Sequence, residues 1–378
     1  MRIVFWQNIL SHLQSSYIRA LAEKNRCEVI LVVEQGLSKR RIDMGWSIPD
    51  FGKTKIVISP DKLTMLNLIR ERESESTHIF GNMHAYPMVS KAFLHCLNTK
   101  VKIGILSEPE NWKGLKGVLR IFRGRSEAVR YQKKIDFILA IGHMAIEWFK
   151  MIGYPEEKIY PFAYFREKPQ EPFEGQRQIP SCDTSGVQLI FIGQLIHRKG
   201  VDLLLKALKE IEDLQWHLKI IGDGKKRREL EFLCGKLNLS KKISFLGSLE
   251  HAKAMQVLSD SNLLVLPSRW DGWGAVVNEA LMRAVPVVCS DRCGAADLIV
   301  DKKLGEVFCS DTIGELRDIL RKRISEGKST LLKSRQQIIK WSKQIEGEMG
   351  ADYLINIISS PAGTASKPVP PWKLININ

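Results

Sequence analysis

Short apolar runs alternate with stretches of helical periodicity along most of the chain. In the first half, runs of strand length occupy residues 3–6, 29–33, 78–81, 101–106 and 137–141, and residues 15–24 carry the spacing of an amphipathic helix. Runs at 188–193, 216–221, 243–246, 263–267 and 286–290 repeat the rhythm in the second half. Strand-like runs separated by helical stretches build βαβ units, so the pattern predicts parallel, doubly wound sheets of the α/β class. Two Rossmann-like halves in tandem follow.

Between the halves, Pro169, Pro172, Gly175 and Pro180 interrupt a polar segment without apolar periodicity, which reads as a linker over residues 166–186. The expected domains are therefore 1–165 and 187–344. Residues 345–360 have the pattern of a further helix, and residues 361–378, with Pro361, Pro368, Pro370 and Pro371, read as an extended tail.

A length of 378 residues exceeds one ordinary hydrophobic core and agrees with two domains. The chain is 44% apolar and 26% charged, as in soluble globular proteins. No apolar run reaches the length of about 18 residues that a membrane span needs. The start Met1-Arg-Ile-Val-Phe-Trp meets polar Gln7 and Asn8 at once and reads as a buried strand, not a signal peptide. The seven cysteines are scattered and lack C-x2-C spacing, as expected of reduced thiols in the cytoplasm.

The formal charge of +15 calls for an anionic neighbour. Nucleic acid, an anionic membrane face and phosphorylated substrates all qualify. Residues 113–134 concentrate the charge: Lys113, Lys116, Arg120, Arg123, Arg125, Arg130, Lys133 and Lys134 stand against Glu127 alone. Leu115, Val118, Leu119, Ile121 and Phe122 interleave with them, the mixture of a segment that lies on an anionic bilayer; an ordinary solvated helix is the competing reading. No nucleic-acid motif is present, so nucleic acid is the weaker partner.

The segment from Pro267 to Asp297, P-S-R-W-D-G-W-G-A-V-V-N-E-A-L-M-R-A-V-P-V-V-C-S-D-R-C-G-A-A-D, carries the densest chemistry. Gly272 and Gly274 lie between Asp271 and Glu279 and let backbone approach a ligand where a helix begins. Amides of Ala275, Val276 and Val277 are expected as first-turn donors to a diphosphate. Glu279 would repel phosphate, and a carboxylate there suits a pair of neutral hydroxyls such as a ribose diol. A solvated Glu after a glycine turn is the competing reading.

A second cluster opens the second half: Gly193, Gln194, Leu195, then His197, Arg198, Lys199 and Gly200. A lysine beside glycine at a sheet edge reaches a phosphate as a point charge. Further on, Gly222-Asp223-Gly224 ends another strand.

These motifs resemble the retaining GT-B glycosyltransferases of the group 1 family. Asp271 and Glu279 take the two acid positions of its E-x7-E signature, Asp replacing the first Glu. Gly193, Leu195, Lys199 and Gly200 match its G-R-L...K-G element with Gln194 in place of Arg. Gly222 and Gly224 match its G-x-G, and Ser290-Asp291-Arg-Cys-Gly294-Ala295-Ala296-Asp297 resembles its T-D-x-G-G-x-x-E. The resemblance covers the second half well and the first only in architecture.

The resemblance implies a GT-B fold, two Rossmann-like domains facing each other across a cleft, with residues 345–360 crossing back to the first. It implies transfer of a hexose from a UDP- or GDP-linked nucleotide sugar to a hydroxyl of a growing, lipid-linked glycan, with retained configuration. Asp271, Lys199, Arg198 and Glu108 are the expected catalytic residues. Gly193, Gln194, Lys199, Gly222, Asp223, Gly274, Ala275, Val276, Val277 and Glu279 are expected to hold the donor. Ser11, His12 and His84, in polar loops after strands, are expected on the acceptor side. No metal or other cofactor is expected, and no D-x-D triplet occurs. The expected location is the cytoplasm, with peripheral attachment at the cytoplasmic face of a membrane. The alternatives are a sugar-nucleotide epimerase of the same shape, a phosphorylase, for which no pyridoxal-lysine motif is found, and a basic nucleic-acid-binding protein. A Rossmann dehydrogenase lacks its G-x-G-x-x-G in both halves.

Overall fold

The computed structural model describes residues 1–37, 47–84, 86–169, 186–310, 312–360 and 367–374. The chain divides into two compact units, residues 1–167 with 345–374, and residues 168–344. In the first, strands β1 (Arg2–Ile9), β2 (Glu28–Gln35), β3 (Lys55–Ile58), β4 (Ser76–Gly81), β5 (Lys102–Ser107), β6 (Phe137–Ile141) and β7 (Ile159–Phe162) form one sheet in the order β3-β2-β1-β4-β5-β6-β7. In the second, β8 (Val187–Ile192), β9 (Trp216–Ile221), β10 (Ile243–Gly247), β11 (Leu263–Leu266), β12 (Val287–Ser290) and β13 (Gly305–Phe308) are ordered β10-β9-β8-β11-β12-β13. All pairings are parallel. Most positions of the central strands are buried, and only a few positions, mostly at strand ends, are partly exposed. In both sheets the order reverses beside the first strand, and at such a switch point ligands meet the carboxyl ends of the strands.

The strands that the apolar pattern did not predict, β3, β7 and β13, are edge strands of four residues. Edges pair on one side only and need no continuous apolar run. β3 is mostly exposed, and β7 contains Pro161, which an edge tolerates because one rim of the strand has no partner to receive an N–H.

Helix Gly347–Ser359 packs within the first unit on helix Ser15–Glu23. A Cβ on Gly347 would lie 2.2 Å from Ser16 Oγ, so the two backbones approach closely. Lys24 Nζ pairs with Asp352 at 2.8 Å, and Tyr353 donates to Pro161 O at 3.0 Å. The extended tail expected over 361–378 is corrected for residues 367–374: Trp372 is fully buried, against Phe165 and Tyr353, and Lys367 donates to Ile159 O at 3.1 Å. A large aromatic side chain removed from water outweighs the chain entropy of a short strap. The linker expected over 166–186 falls mostly outside the described residues.

One buried polar pair sits inside the first core. Trp6 Nε1 donates to His78 Nδ1 at 3.0 Å, and both side chains are fully buried. Burial, then the charge of Arg2, pushes His78 down to about 3. The folded value lies below the unfolded one near 6.5, so neutral His78 contributes stability that is complete above about pH 6.5 and is lost as pH falls toward 3. We expect His78→Leu to lose about 1–3 kcal/mol at pH 7 by orphaning the Trp6 N–H. Its Tm should also fall less steeply between pH 6.5 and 4.5 than that of the wild type; parallel slopes in thermal melts would refute the role.

Candidate functional site

At the carboxyl edge of the second sheet, β8 and β9 each pass into a glycine, and the last residue of β10 is one. Gly193 N donates to Ile221 O at 3.0 Å and Gly222 N to Gly247 O at 2.8 Å. Gly222 has φ +130° and its Cβ position lies 2.0 Å from Gly193 O, so a side chain there would strike the neighbouring backbone. The result is a shelf of bare main chain. Gln194 is exposed beside it. The Asp223 carboxylate turns back on its own loop, accepting from Gly224 N at 2.6 Å and Arg227 Nη1 at 3.2 Å.

Residues His197–Lys199 form a single helical turn that ends at Gly200. Gly200 has φ +69°, and its Cβ position lies 1.9 Å from Pro267 O, which brings this turn against the loop that carries Asp271. Lys199 Nζ donates to Asp271 Oδ2. Arg198 Nη1 donates to Asp271 Oδ1 at 3.4 Å and to Trp270 O at 2.8 Å. The Asp271 side chain is only 11% exposed, so its charge requires these partners. Its backbone is held as well: Asp271 N donates to Arg292 O at 2.8 Å and Gly294 N to Asp271 O at 3.0 Å. The Cβ position of Gly193 is 3.8 Å from Lys199 Cε, so the cation stands beside the glycine shelf.

Beyond Asp271 the chain enters a short helix, Val276–Leu281. Val277 N donates to Gly274 O at 2.9 Å, which corrects the expectation of three open amides. The turn tightens one residue early and consumes that donor. The amides of Ala275 and Val276 have no backbone partner among the described residues. Glu279 is half-buried on the first turn, its N donating to Ala275 O at 3.2 Å. The loop beneath is fixed by Trp273, whose Nε1 donates to Asn278 Oδ1 at 2.8 Å and whose carbonyl accepts from Ala295 N at 2.7 Å and Cys293 Sγ at 2.9 Å. Burial foremost pushes the Cys293 thiol well above its ordinary value and keeps it protonated.

The first-unit candidates follow β1, β4 and β5. Ser11 Oγ accepts from Leu13 N at 3.2 Å, a local turn bond. His12 Nε2 lies 2.8 Å from Ser47 O. His84 Nε2 lies 2.7 Å from Glu127 Oε2. Glu108 accepts from Tyr164 O–H at 2.9 Å, and burial, then the Glu108 charge, raises that phenol well above its ordinary value. His84 and Glu108 thus stand in separate polar pairs. The basic segment is less concentrated than its sequence indicates, because Glu110 binds Arg123 at 2.5 Å and Arg120 at 3.5 Å, and Arg123 also reaches Glu127 at 3.6 Å.

Sequence reasoning missed Tyr164, Arg269 and Asp202. Arg269 and Asp202 form a two-pronged ion pair, at 2.7 and 2.6 Å, beside the cation turn. A lone arginine in a loop and a first-turn aspartate carry no motif of their own.

Among the described residues, no helix is long and apolar enough to cross a membrane. Residues 173–345, which lie mostly in the second unit, match the family described as glycosyl transferases group 1. The glycosyltransferase MJ1178 of Methanocaldococcus jannaschii is 29% identical over 42% of this chain and 45% of its own length. The lipopolysaccharide glucosyltransferase WaaG of Escherichia coli (strain K12) is 28% identical over 44% of this chain and 45% of its own length. This chain thus spans less than half the length of these two relatives. Anabaena Alr3699/HepE, solved in complex with UDP, matches with TM-score 0.71 at 15% identity, covering 96% of this chain and 100% of that one. The fold is the GT-B fold of two Rossmann-like, parallel-sheet units.

Gly200 tests the apposition of the cation turn and the Asp271 loop. Gly200→Ala should destabilise the protein by about 1–3 kcal/mol or more, since both the positive φ and the carbonyl contact forbid a side chain. Chemical denaturation showing a loss under half a kcal/mol, roughly the scale of a neutral surface change, would contradict that geometry.

Proposed function

We propose that the protein transfers a hexose from a nucleotide sugar to a hydroxyl of a growing glycan, with retained configuration. The observation that carries this reading is the convergence of Arg198 and Lys199 on Asp271 beside the bare backbone of Gly193 and Gly222. In the reaction the bond from the anomeric carbon to the diphosphate breaks, a bond from that carbon to the acceptor oxygen forms, and the acceptor hydroxyl's proton passes to the departing diphosphate. Negative charge grows on the departing diphosphate. Arg198 and Lys199 oppose it there, with the amides of Ala275 and Val276, and the reading requires no metal or other cofactor. Glu279 accepts hydrogen bonds from the ribose hydroxyls. Glu108, held by Tyr164, is the catalytic candidate of the first unit, and Ser11, His12 and His84 serve the acceptor side.

The relatives support this reading through what they do: WaaG is a lipopolysaccharide glucosyltransferase, and HepE was solved with UDP. UDP sugars therefore lead the donors to test, ahead of GDP sugars. In a thermal-shift panel, one nucleotide diphosphate class should raise Tm. Glu279→Ala should lose that shift and lower kcat/KM for the donor by roughly 2–4 kcal/mol of transition-state binding. Unchanged donor kinetics in that variant would remove Glu279 from the site.

The acceptor is proposed to be lipid-linked and to be met at the cytoplasmic face of a membrane. Helix Gly114–Tyr131 packs inward through Gly117, Gly124 and Ala128 and turns Leu115, Leu119 and Phe122 outward, at 89%, 70% and 66% exposure. Exposed apolar side chains flanked by Lys113, Lys116, Lys133 and Lys134 suit an anionic bilayer. Flotation with vesicles containing anionic lipid should carry the protein up, and Leu119→Glu with Phe122→Glu should abolish it. Equal flotation of both proteins would sink the attachment.

A further inference from the structure

We infer that Arg269 and Asp202 form a positioning pair that sets the reach of Arg198 and Lys199 toward a diphosphate; the inference rests on the reading above that these cations hold one. Arg269 stands two residues before Asp271, in the same loop. Its guanidinium grips the Asp202 carboxylate with both prongs, Nη1 to Oδ1 at 2.7 Å and Nη2 to Oδ2 at 2.6 Å. The same Nη1 donates to His197 O at 2.9 Å. His197 precedes the two cations and Asp202 follows them, so one side chain brackets the turn from both ends. The main chain closes the clasp: Arg269 N donates to Arg198 O at 2.8 Å.

This arrangement fixes the spacing between the two cations and Asp271 before any ligand arrives. Burial alone would raise the Asp202 carboxyl, yet the bonds and charge of Arg269 hold it below the usual carboxylate range. The pair therefore stays ionised at neutral pH. A planar fork restrains two angles that a lysine point charge leaves free. Neither residue needs to touch the ligand; both act through the turn.

The test compares full-length wild type, Arg269→Lys, Asp202→Asn and the double variant by titration calorimetry with UDP, GDP and inorganic pyrophosphate. Arg317→Lys, which alters a surface pair with Glu210 in the same unit, is the control. Each single variant should weaken the best-binding probe about tenfold, the double variant no more than either single one, and the control not at all. Donor KM should rise in step while acceptor KM and Tm hold, a split that general loosening of the fold would not produce. Wild-type affinity retained in Arg269→Lys and Asp202→Asn overturns the positioning role alone. So does a loss matched by a fall in Tm of the variants, or a double variant whose losses add. If the wild type binds none of the three probes, the diphosphate reading itself fails and this inference falls with it.

Discussion

The second unit is organised around one electrostatic requirement: a nearly buried carboxylate, Asp271, must be neutralised by charges brought from a distant part of the sequence. A carboxylate out of water without cations is costly enough to unfold or protonate its surroundings. Arg198 and Lys199 meet that need across more than seventy residues of chain. Their turn must therefore touch the 267–271 loop, and Gly200 with its positive φ allows the touch. The backbone bonds of Asp271 to Arg292 and Gly294 prevent the acid from following its partners elsewhere. Fold stability and the placement of the positive charges thus depend on the same contact.

An ion pair of this kind also stores capability. Two cations sharing one carboxylate leave net positive charge at the place where the glycine shelf exposes main chain. On the proposed reading, an arriving diphosphate meets preformed donors and need not order them, which is the condition for electrostatic stabilisation of a leaving group. The shorter Asp in place of a family Glu fits this: its carboxylate is drawn to Lys199, and one methylene less keeps it close to the sheet edge.

Much of this was legible in the sequence, and for identifiable reasons. Central strands announce themselves because burial on both faces demands continuous apolar runs, and β6 and β9 coincide with their predicted runs at both ends. Glycines at strand exits and the Arg198-Lys199 pair were readable because each requires a particular residue type at a particular place. What stayed hidden depends on which groups pair in the folded chain. Val277 spends its amide on Gly274, Glu110 neutralises Arg120 and Arg123 from outside the basic run, Trp372 pins a segment that reads as free tail, and Arg269 finds Asp202. Each of these is a pairing, and local pattern carries no information about pairing.

Helix Gly114–Tyr131 leaves three large apolar residues outside the packing of the fold. Amphipathic helices normally turn their largest apolar residues to the core; here Ile121 and Tyr131 pack inward beside Gly117, Gly124 and Ala128, whereas Leu115, Leu119 and Phe122 face out. Close packing through Gly117 and Gly124 requires the absence of side chains: a Cβ on Gly117 would lie 2.0 Å from Trp112 O. Side chains at Gly117 or Gly124 would collide with Trp112 O or Ile152, so neither position can take apolar bulk. At about 25 cal/mol per Å² of apolar surface, leaving three such side chains in water forgoes several kcal/mol. The glycine contacts do not explain why these outward residues are apolar. Lysines or glutamates would fill the outer positions at no cost to packing, so packing within the fold does not account for the apolar character that the proposed bilayer attachment uses.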